Sequence, residues 1–342
     1  MKFMSKTYRV GFASLVHDHV WGELNRWKEH PNVEIVAAGD VNAELRDQFK
    51  SETGVENVYD SWQELLEKEE LDIIQACAEN NAGPEIVEAA AAKGVHVVSE
   101  KPMSARLSQA DQMLNAAQNA GISLMINWPT AWSPALNTAM QLIKDGAIGD
   151  VFYFKWRSAH NGPKEIGCSR YFYEWLYDEE KNGAGALMDY CCYCADMCAY
   201  LLGLPEQVTA FRGTFVKDYP LPDDNAVILM KYGNAFGITE ASWTQKTGYV
   251  TPNPVVYGTE GALTVAGNQV NLSPAGADAK VIDPDPIPEG KRNAPEYLIH
   301  CLETGEPIDG LCCPYISRDA QEILEAGLVS ADSGQVVNLP MT

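Results

Sequence analysis

The chain has 342 residues, enough for about two domains at roughly 150 residues each. Asp and Glu number 47 against 25 Lys and Arg, so the formal charge is −22 with the six His neutral. That balance repels phosphate backbones and anionic headgroups, which excludes nucleic acid and a membrane surface as expected partners. With 46% apolar and 21% charged residues, disorder is excluded too.

No apolar run reaches the roughly 18 residues of a bilayer span, and the stretch from Met1 to Thr7 lacks the apolar core of a secretory signal. The nine Cys are odd in number and crowd at Cys191, Cys192, Cys194, Cys198, Cys312 and Cys313. They read as reduced thiols of a cytoplasmic protein.

Strand and helix patterns alternate over the first 128 residues. Residues 8–12 form a strand, and the next helix puts Val20, Leu24 and Trp27 on one face. Residues 33–40 form a second strand ending in Asp40, and 45–51 and 62–69 are helical. Residues 71–76 form a nearly continuous apolar strand, as a parallel sheet covered on both faces requires. A helix over 84–93 stops at Gly94, a strand follows at 95–98, a helix over 108–120 stops at Gly121, and 122–126 closes the series. This alternation predicts a doubly wound parallel sheet.

The texture changes after Trp128. One helix spans 134–144; strands then dominate at 151–157, 208–215, 226–232, 235–243, 255–257 and 262–265. A second, α+β domain with a large, mostly antiparallel sheet is expected, closed by helices at 295–303 and 318–330. The Pro-, Gly- and Asp-rich segment 273–295 reads as an irregular excursion.

The first strand leads into Gly11-Phe12-Ala13-Ser14-Leu15-Val16, where a dinucleotide fingerprint would read G-x-G-x-x-G; Ala13 and Val16 hold the later glycine places. The helix start behind it offers free backbone N–H groups to a pyrophosphate; an ordinary strand-to-helix turn is the plain alternative. Asp40 stands where an acid accepts from the ribose hydroxyls and repels a 2′-phosphate, favouring NAD over NADP. Arg46, one turn on, leaves NADP open, and a cap or turn role is the alternative for Asp40. Ser99-Glu100-Lys101-Pro102 ends a buried strand with two opposite charges and a proline, and Pro102 biases Lys101 towards an extended conformation. A Lys there can present its ammonium to a substrate hydroxyl and the cofactor ribose.

These segments, with Ala78-Glu79-Asn80, the run from Ala89 to Pro102, residues 143–149, Asn182-Gly183-Ala184-Gly185-Ala186-Leu187-Met188-Asp189 and residues 255–261, resemble the glucose–fructose oxidoreductase, inositol dehydrogenase and rhizopine-catabolism (Gfo/Idh/MocA) oxidoreductases. The resemblance covers nearly the whole chain. It implies an NAD-binding Rossmann domain over 1–128 and a substrate-binding and oligomerisation domain with an open sheet over 129–342. It implies cofactor contacts at Gly11, Phe12, Ala13, Ser14, Asp40, Ala78, Glu79, Asn80, Glu100 and Lys101. It places catalytic side chains at Lys101, Asp189 and Tyr193. The i to i+4 spacing puts Asp189 and Tyr193 on one helix face. Most relatives carry His at the third place. A phenol with a pKa of about 10 needs a neighbouring cation to act as a base near neutrality, and Lys101 is the candidate. Two further departures are Gly83, where the family often has His, and Ala131, where an Arg is common.

The implied activity is reversible oxidation of a secondary hydroxyl on a sugar, polyol or glycoside. Substrate contacts are expected from Lys101, His160, Asn161, Tyr173, Trp175, Asp189 and Tyr193; for the aromatic residues, ordinary core is the plain alternative. Cys191-Cys192-Tyr193-Cys194 contains C-x-x-C but no second half, so it reads as buried helix rather than a metal site. Two rivals stand beside this reading. One is a glycoside-cleaving enzyme that oxidises transiently, eliminates the aglycone and regenerates its NAD; the other is a non-enzymatic cofactor or sugar sensor. A homo-oligomer, dimer or tetramer, is expected through the open sheet.

Overall fold

The structure, a computed structural model, describes residues 6–248 and 252–341. Strands β1 (Tyr8–Ala13), β2 (Val33–Gly39), β3 (Val58–Tyr59), β4 (Ile73–Ala76), β5 (His96–Glu100) and β6 (Leu124–Asn127) alternate with helices. Those helices are α1 (His19–Glu29), α2 (Ala43–Thr53), α3 (Trp62–Lys68), α4 (Gly83–Ala91) and α5 (Leu107–Ala120). Every pairing is parallel, in the order β3-β2-β1-β4-β5-β6. Winding reverses between β1 and β4, and the crevice beyond their carboxyl ends is where such sheets take ligands. All of β4 is buried, as helices on both faces demand. The spacing read for α1 holds, with Val20, Leu24 and Trp27 all on the buried face.

A helix α6 (Pro134–Lys144) leads into β7 (Val151–Ala159), and α7 (Arg170–Leu176), α8 (Glu179–Asn182) and α9 (Ala186–Leu202) follow. The chain continues through β8 (Gln207–Gly213), β9 (Asn225–Lys231), β10 (Phe236–Ser242), β11 (Val255–Gly258), β12 (Gly261–Ala266), β13 (Gln269–Pro274) and β14 (Lys280–Ile282). It ends with α10 (Ala294–Thr304), α11 (Pro314–Ser333) and β15 (Val337–Asn338). These strands form one nine-stranded sheet, order β14-β13-β12-β11-β7-β10-β9-β8-β15, antiparallel except where β7 meets β10. One face is buried beneath α9 and α11 through Ile228, Met230, Ala241 and Phe154. On the other, period-two alternation leaves Phe211, Leu229, Phe236 and Tyr257 exposed.

The segment 273–295 is less irregular than its composition suggests, since β14 pairs with β13 there. Helix α7 carries Tyr173 and Trp175, two of the expected substrate contacts; Ser169 caps it by accepting the Phe172 N–H. Among the described residues no helix is long and apolar enough to cross a membrane, and all nine Cys are free.

The start of α9 fixes the position of Asp189, and its glycines are structural. A Cβ on Gly183 would lie 2.4 Å from the Ala105 carbonyl oxygen, and one on Gly185 would lie 2.2 Å from that of Asp223. Gly183 also adopts φ +95°, which disfavours any side chain. The buried Asp223 carboxylate accepts from the Gly185 N–H (2.9 Å) and the Leu187 N–H (2.8 Å), satisfying donors the helix cannot pair itself. Replacing Asp223→Ala should therefore cost about 2–4 kcal/mol in urea unfolding. Gly185→Ala should be at least as damaging.

Candidate active site

Lys101 emerges from the carboxyl end of β5 and meets two side chains set one turn apart on α9. Its Nζ donates to Asp189 Oδ1 at 2.8 Å and to the Asp189 carbonyl at 3.3 Å. It also stands 4.7 Å from the centre of the Tyr193 ring. Only 3% of Lys101 is exposed. Burial pulls its pKa down, but the facing Asp189 carboxylate more than offsets this and holds it well above the ordinary lysine value. The other carboxylate oxygen of Asp189 accepts the Trp243 indole N–H at 3.3 Å.

Tyr193 departs from expectation. Burial pushes its hydroxyl up to about 12, and the opposing pull of Lys101 is too small to reverse that. Lys101 spends its charge on Asp189, so the phenol stays protonated at neutral pH. The C-x-x-C run lies in α9 as read, with Cys191, Cys192 and Cys194 buried and their thiols held protonated by that burial.

On the cofactor side, Gly11, Phe12 and Ala13 are buried residues of β1, and Phe12 packs on Phe49 in the core. The turn comes at Ser14, a non-glycine residue at φ +62°. The loop amides read as free are mostly taken. The Ser14 N–H donates to the Gly39 carbonyl, that of Leu15 to Asp40 Oδ2, and that of His17 to the Cys77 carbonyl. Helix α1 starts only at His19, so its N-terminus lies further along than the fingerprint implies. Asp40 has the turn role as well: Oδ2 accepts from Ser14 Oγ and Leu15, and Oδ1 from the backbone and side chain of Asn42. Arg46 is bound to the Asp40 carbonyl (2.6 Å) and to Asp60 (2.7 Å), which occupies the cation that left NADP open.

Other donors remain for a dinucleotide. The Trp175 indole N–H is buried without a partner, and its ring packs 5.7 Å from that of His17. His17 is neutral, its pKa lowered by burial and then by His19 and Lys101. Its Nδ1 accepts the His19 N–H, so the ring proton sits on Nε2 as a donor. A polarised crevice with unpaired donors fits an acceptor-rich diphosphate. His17, His19 and Glu100 also bring their donor atoms within 4.8 Å of one another. However, Glu100 is hydrogen-bonded to His19 Nδ1 at 2.9 Å, and a protonated Nε2 on His17 suits a hydrogen-bond donor better than a metal ligand. Glu100 is further held by the Asn127 amide at 2.8 Å. Glu79 pairs with Lys181 (3.2 Å) and Asn80 with Asn182 (2.8 Å), tying the crevice edge to α8. Ala78 lies beside them at the end of β4, almost wholly buried.

Of the expected substrate contacts, His160 faces the Lys101–Asp189 pair. Burial lowers its pKa, and Asp189, Lys101 and Lys217 act on it. Its Nδ1 accepts the Gly162 N–H at 2.8 Å, which leaves the proton on Nε2. The Asn161 carbonyl is bound by Lys217, itself paired with Glu165 at 2.7 Å. The Tyr173 ring packs on that of Tyr177, and Trp175 is buried with its ring 5.7 Å from that of His17. Trp243 and Lys217 carried no local signal; they reach the site from beyond β10 and β8, remote in sequence.

A parallel sheet of this order, a crevice at its switch point and an open-faced second sheet define a two-domain dinucleotide-dependent oxidoreductase. The sequence comparisons agree. Residues 20–128 match the oxidoreductase family with an NAD-binding Rossmann fold, and 136–264 match the Gfo/Idh/MocA C-terminal domain. The chain belongs to the Gfo/Idh/MocA family of NAD(P)-dependent oxidoreductases. Levoglucosan dehydrogenase of Pseudarthrobacter phenanthrenivorans is 25% identical over 66% of this chain and 63% of its own length. Myo-inositol 2-dehydrogenase of Thermotoga maritima is 23% identical over 67% and 66%. The chain thus spans just under two thirds of these relatives' lengths. The WlbA dehydrogenase of Bordetella pertussis, solved with NADH and UDP-GlcNAcA, superimposes with a TM-score of 0.82 over 99% of this chain and 100% of that one, at 20% identity.

Removing the charge of Asp189 would strand the Lys101 ammonium in the interior. Asp189→Asn should destabilise the fold by about 3–5 kcal/mol in urea, and Lys101→Met in the same chain should restore part of that loss.

Proposed function

We propose that the protein is an NAD-dependent dehydrogenase that interconverts a secondary hydroxyl and a carbonyl on a sugar, polyol or glycoside. Lys101, Asp189 and Tyr193 surround the reacting carbon in this reading. The carrying observation is the buried Lys101–Asp189 pair beside Tyr193, at the carboxyl end of β5. Bound nicotinamide would supply the hydride acceptor or donor. Lys101 would hold the substrate oxygen and stabilise negative charge on it. Asp189, steadied by Trp243, would keep the ammonium charged and orient it. Tyr193 would exchange the hydroxyl proton, and His160 Nε2 would donate to a neighbouring hydroxyl. Each cation here faces a carboxylate, Lys101 with Asp189 and Lys217 with Glu165. That near-neutral setting within a chain of −22 suits an uncharged polyhydroxyl compound.

One observation supports the transient-redox variant on a glycoside. The segment before and within α7 crosses to the first loop and to α2: Ser169 bonds Asp18 through its N–H (2.7 Å) and its hydroxyl, and Arg170 and Tyr171 bind Glu44 at the start of α2. A crossing of this kind would slow cofactor exchange. The open sheet face supports a homo-oligomer. Its exposed Phe211, Leu229, Phe236 and Tyr257 lie on β8, β9, β10 and β11 in place of polar residues.

NAD+ reduction, followed by absorbance across sugars, polyols and glycosides, tests the reading. Lys101→Ala and Tyr193→Phe should each lower kcat by about 10²–10⁴; full turnover in both variants would refute the mechanism. Because the phenol ionises only at about 12, oxidation should quicken about tenfold per pH unit from 7 to 10, and Tyr193→Phe should flatten that slope. Glycoside cleavage without NADH accumulation would select the transient variant. In sedimentation the chain should run as a dimer or larger at micromolar concentration, and Phe236→Asp should yield monomers; a monomeric wild type would remove the oligomer.

A further inference from the structure

A cavity of about 230 Å³ opens away from the crevice, and none of Lys101, Asp189, Tyr193 or Asp40 lines it. It lies between α6, the turn Pro129–Trp132, the loop at 287–291 and the turn Gly310–Cys312. Its wall is apolar through Trp132, Leu136, Met140 and Leu311. Two further features mark it as built for a ligand. Thr130, which lines it, is only 7% exposed, and its hydroxyl has no partner. Buried hydroxyls are nearly always hydrogen-bonded, so an occupant is the natural partner. Lys144, also in the lining, stands 3.8 Å over the Tyr200 ring and bonds its hydroxyl. Among the described residues Lys144 has no carboxylate partner, in a chain with 47 acidic residues. Lys291 adds a second ammonium, shared with Glu306 at 3.5 Å, against the single lining carboxylate of Asp309.

We propose that this cavity binds a small amphipathic organic anion, its apolar body against Trp132, Leu136 and Met140 and its carboxylate at Lys144. An apolar cavity of about 150 Å³ accepts a benzene ring, so 230 Å³ holds a ring of that size together with a carboxylate. Trp132 links this wall to the crevice. Its indole donates to Asn127 Oδ1 (2.8 Å), and Asn127 donates to Glu100, the neighbour of Lys101 (2.8 Å).

Benzoate is the probe and benzyl alcohol its neutral match, with binding to the full chain read by ligand-observed NMR. Benzoate should bind saturably in the millimolar range, about fivefold more tightly than benzyl alcohol. Lys144→Gln should bring benzoate down to the alcohol's level and leave the alcohol within about twofold of wild type, while Thr130→Val should weaken both. Three results would overturn the assignment: no saturation by about 20 mM benzoate, equal binding of the two probes, or unchanged benzoate binding in Lys144→Gln. Should Thr130→Val fail to fold, Lys144→Gln decides the matter, because that side chain is exposed. No turnover is read, so this result is independent of the dehydrogenase reading.

Discussion

A charged lysine held in the interior by one carboxylate organises the rest of this molecule. Taking two ions out of water is unfavourable by several kcal/mol each, and only close, well-oriented pairing offsets it. The pair joins the carboxyl end of β5 in one sheet to a helix packed on the other, so the two halves must meet with sub-ångström fidelity. Much of the surrounding structure serves that fit. Asp223 and two glycines set the start of α9, Trp243 steadies the second oxygen of Asp189, and Asn80–Asn182 and Glu79–Lys181 fasten the adjoining edge.

The same pair sets the chemistry of its neighbour. A cation next to a phenol normally eases its ionisation, but here the ammonium is already committed to Asp189 and the phenol is largely desolvated. Desolvation therefore wins, and Tyr193 is a proton donor at rest. In the proposed reaction the oxidising direction would therefore depend on alkalinity.

The cofactor crevice shows a comparable exchange of roles. Where a glycine-rich loop would leave amides for a pyrophosphate, this loop uses them to bind Asp40, Gly39 and Cys77. Beside this loop stand two side-chain donors, His17 and the Trp175 indole, whose N–H has no partner. Trp175 arrives on a helix from the other half of the chain.

The sequence by itself determined what periodicity and local chemistry encode. Alternating strands and helices, the continuous apolar β4, the amphipathic α1 and the large, mostly antiparallel second sheet follow from spacing, because which face is buried is written at period 3.6 or 2. Lys101, Asp189 and Tyr193 were legible as a group through their motifs, and their convergence is real. What only the tertiary structure decided were quantities summed over distant neighbours. The ionisation of Tyr193 depends on burial by the whole fold, and the bonding of Asp40 on a loop 25 residues earlier. Trp175 packs against His17 because the start of α7 is tied to the first loop. Trp243 and the cavity beside α6 exist only when elements far apart in sequence are packed together, and no local pattern carries that information.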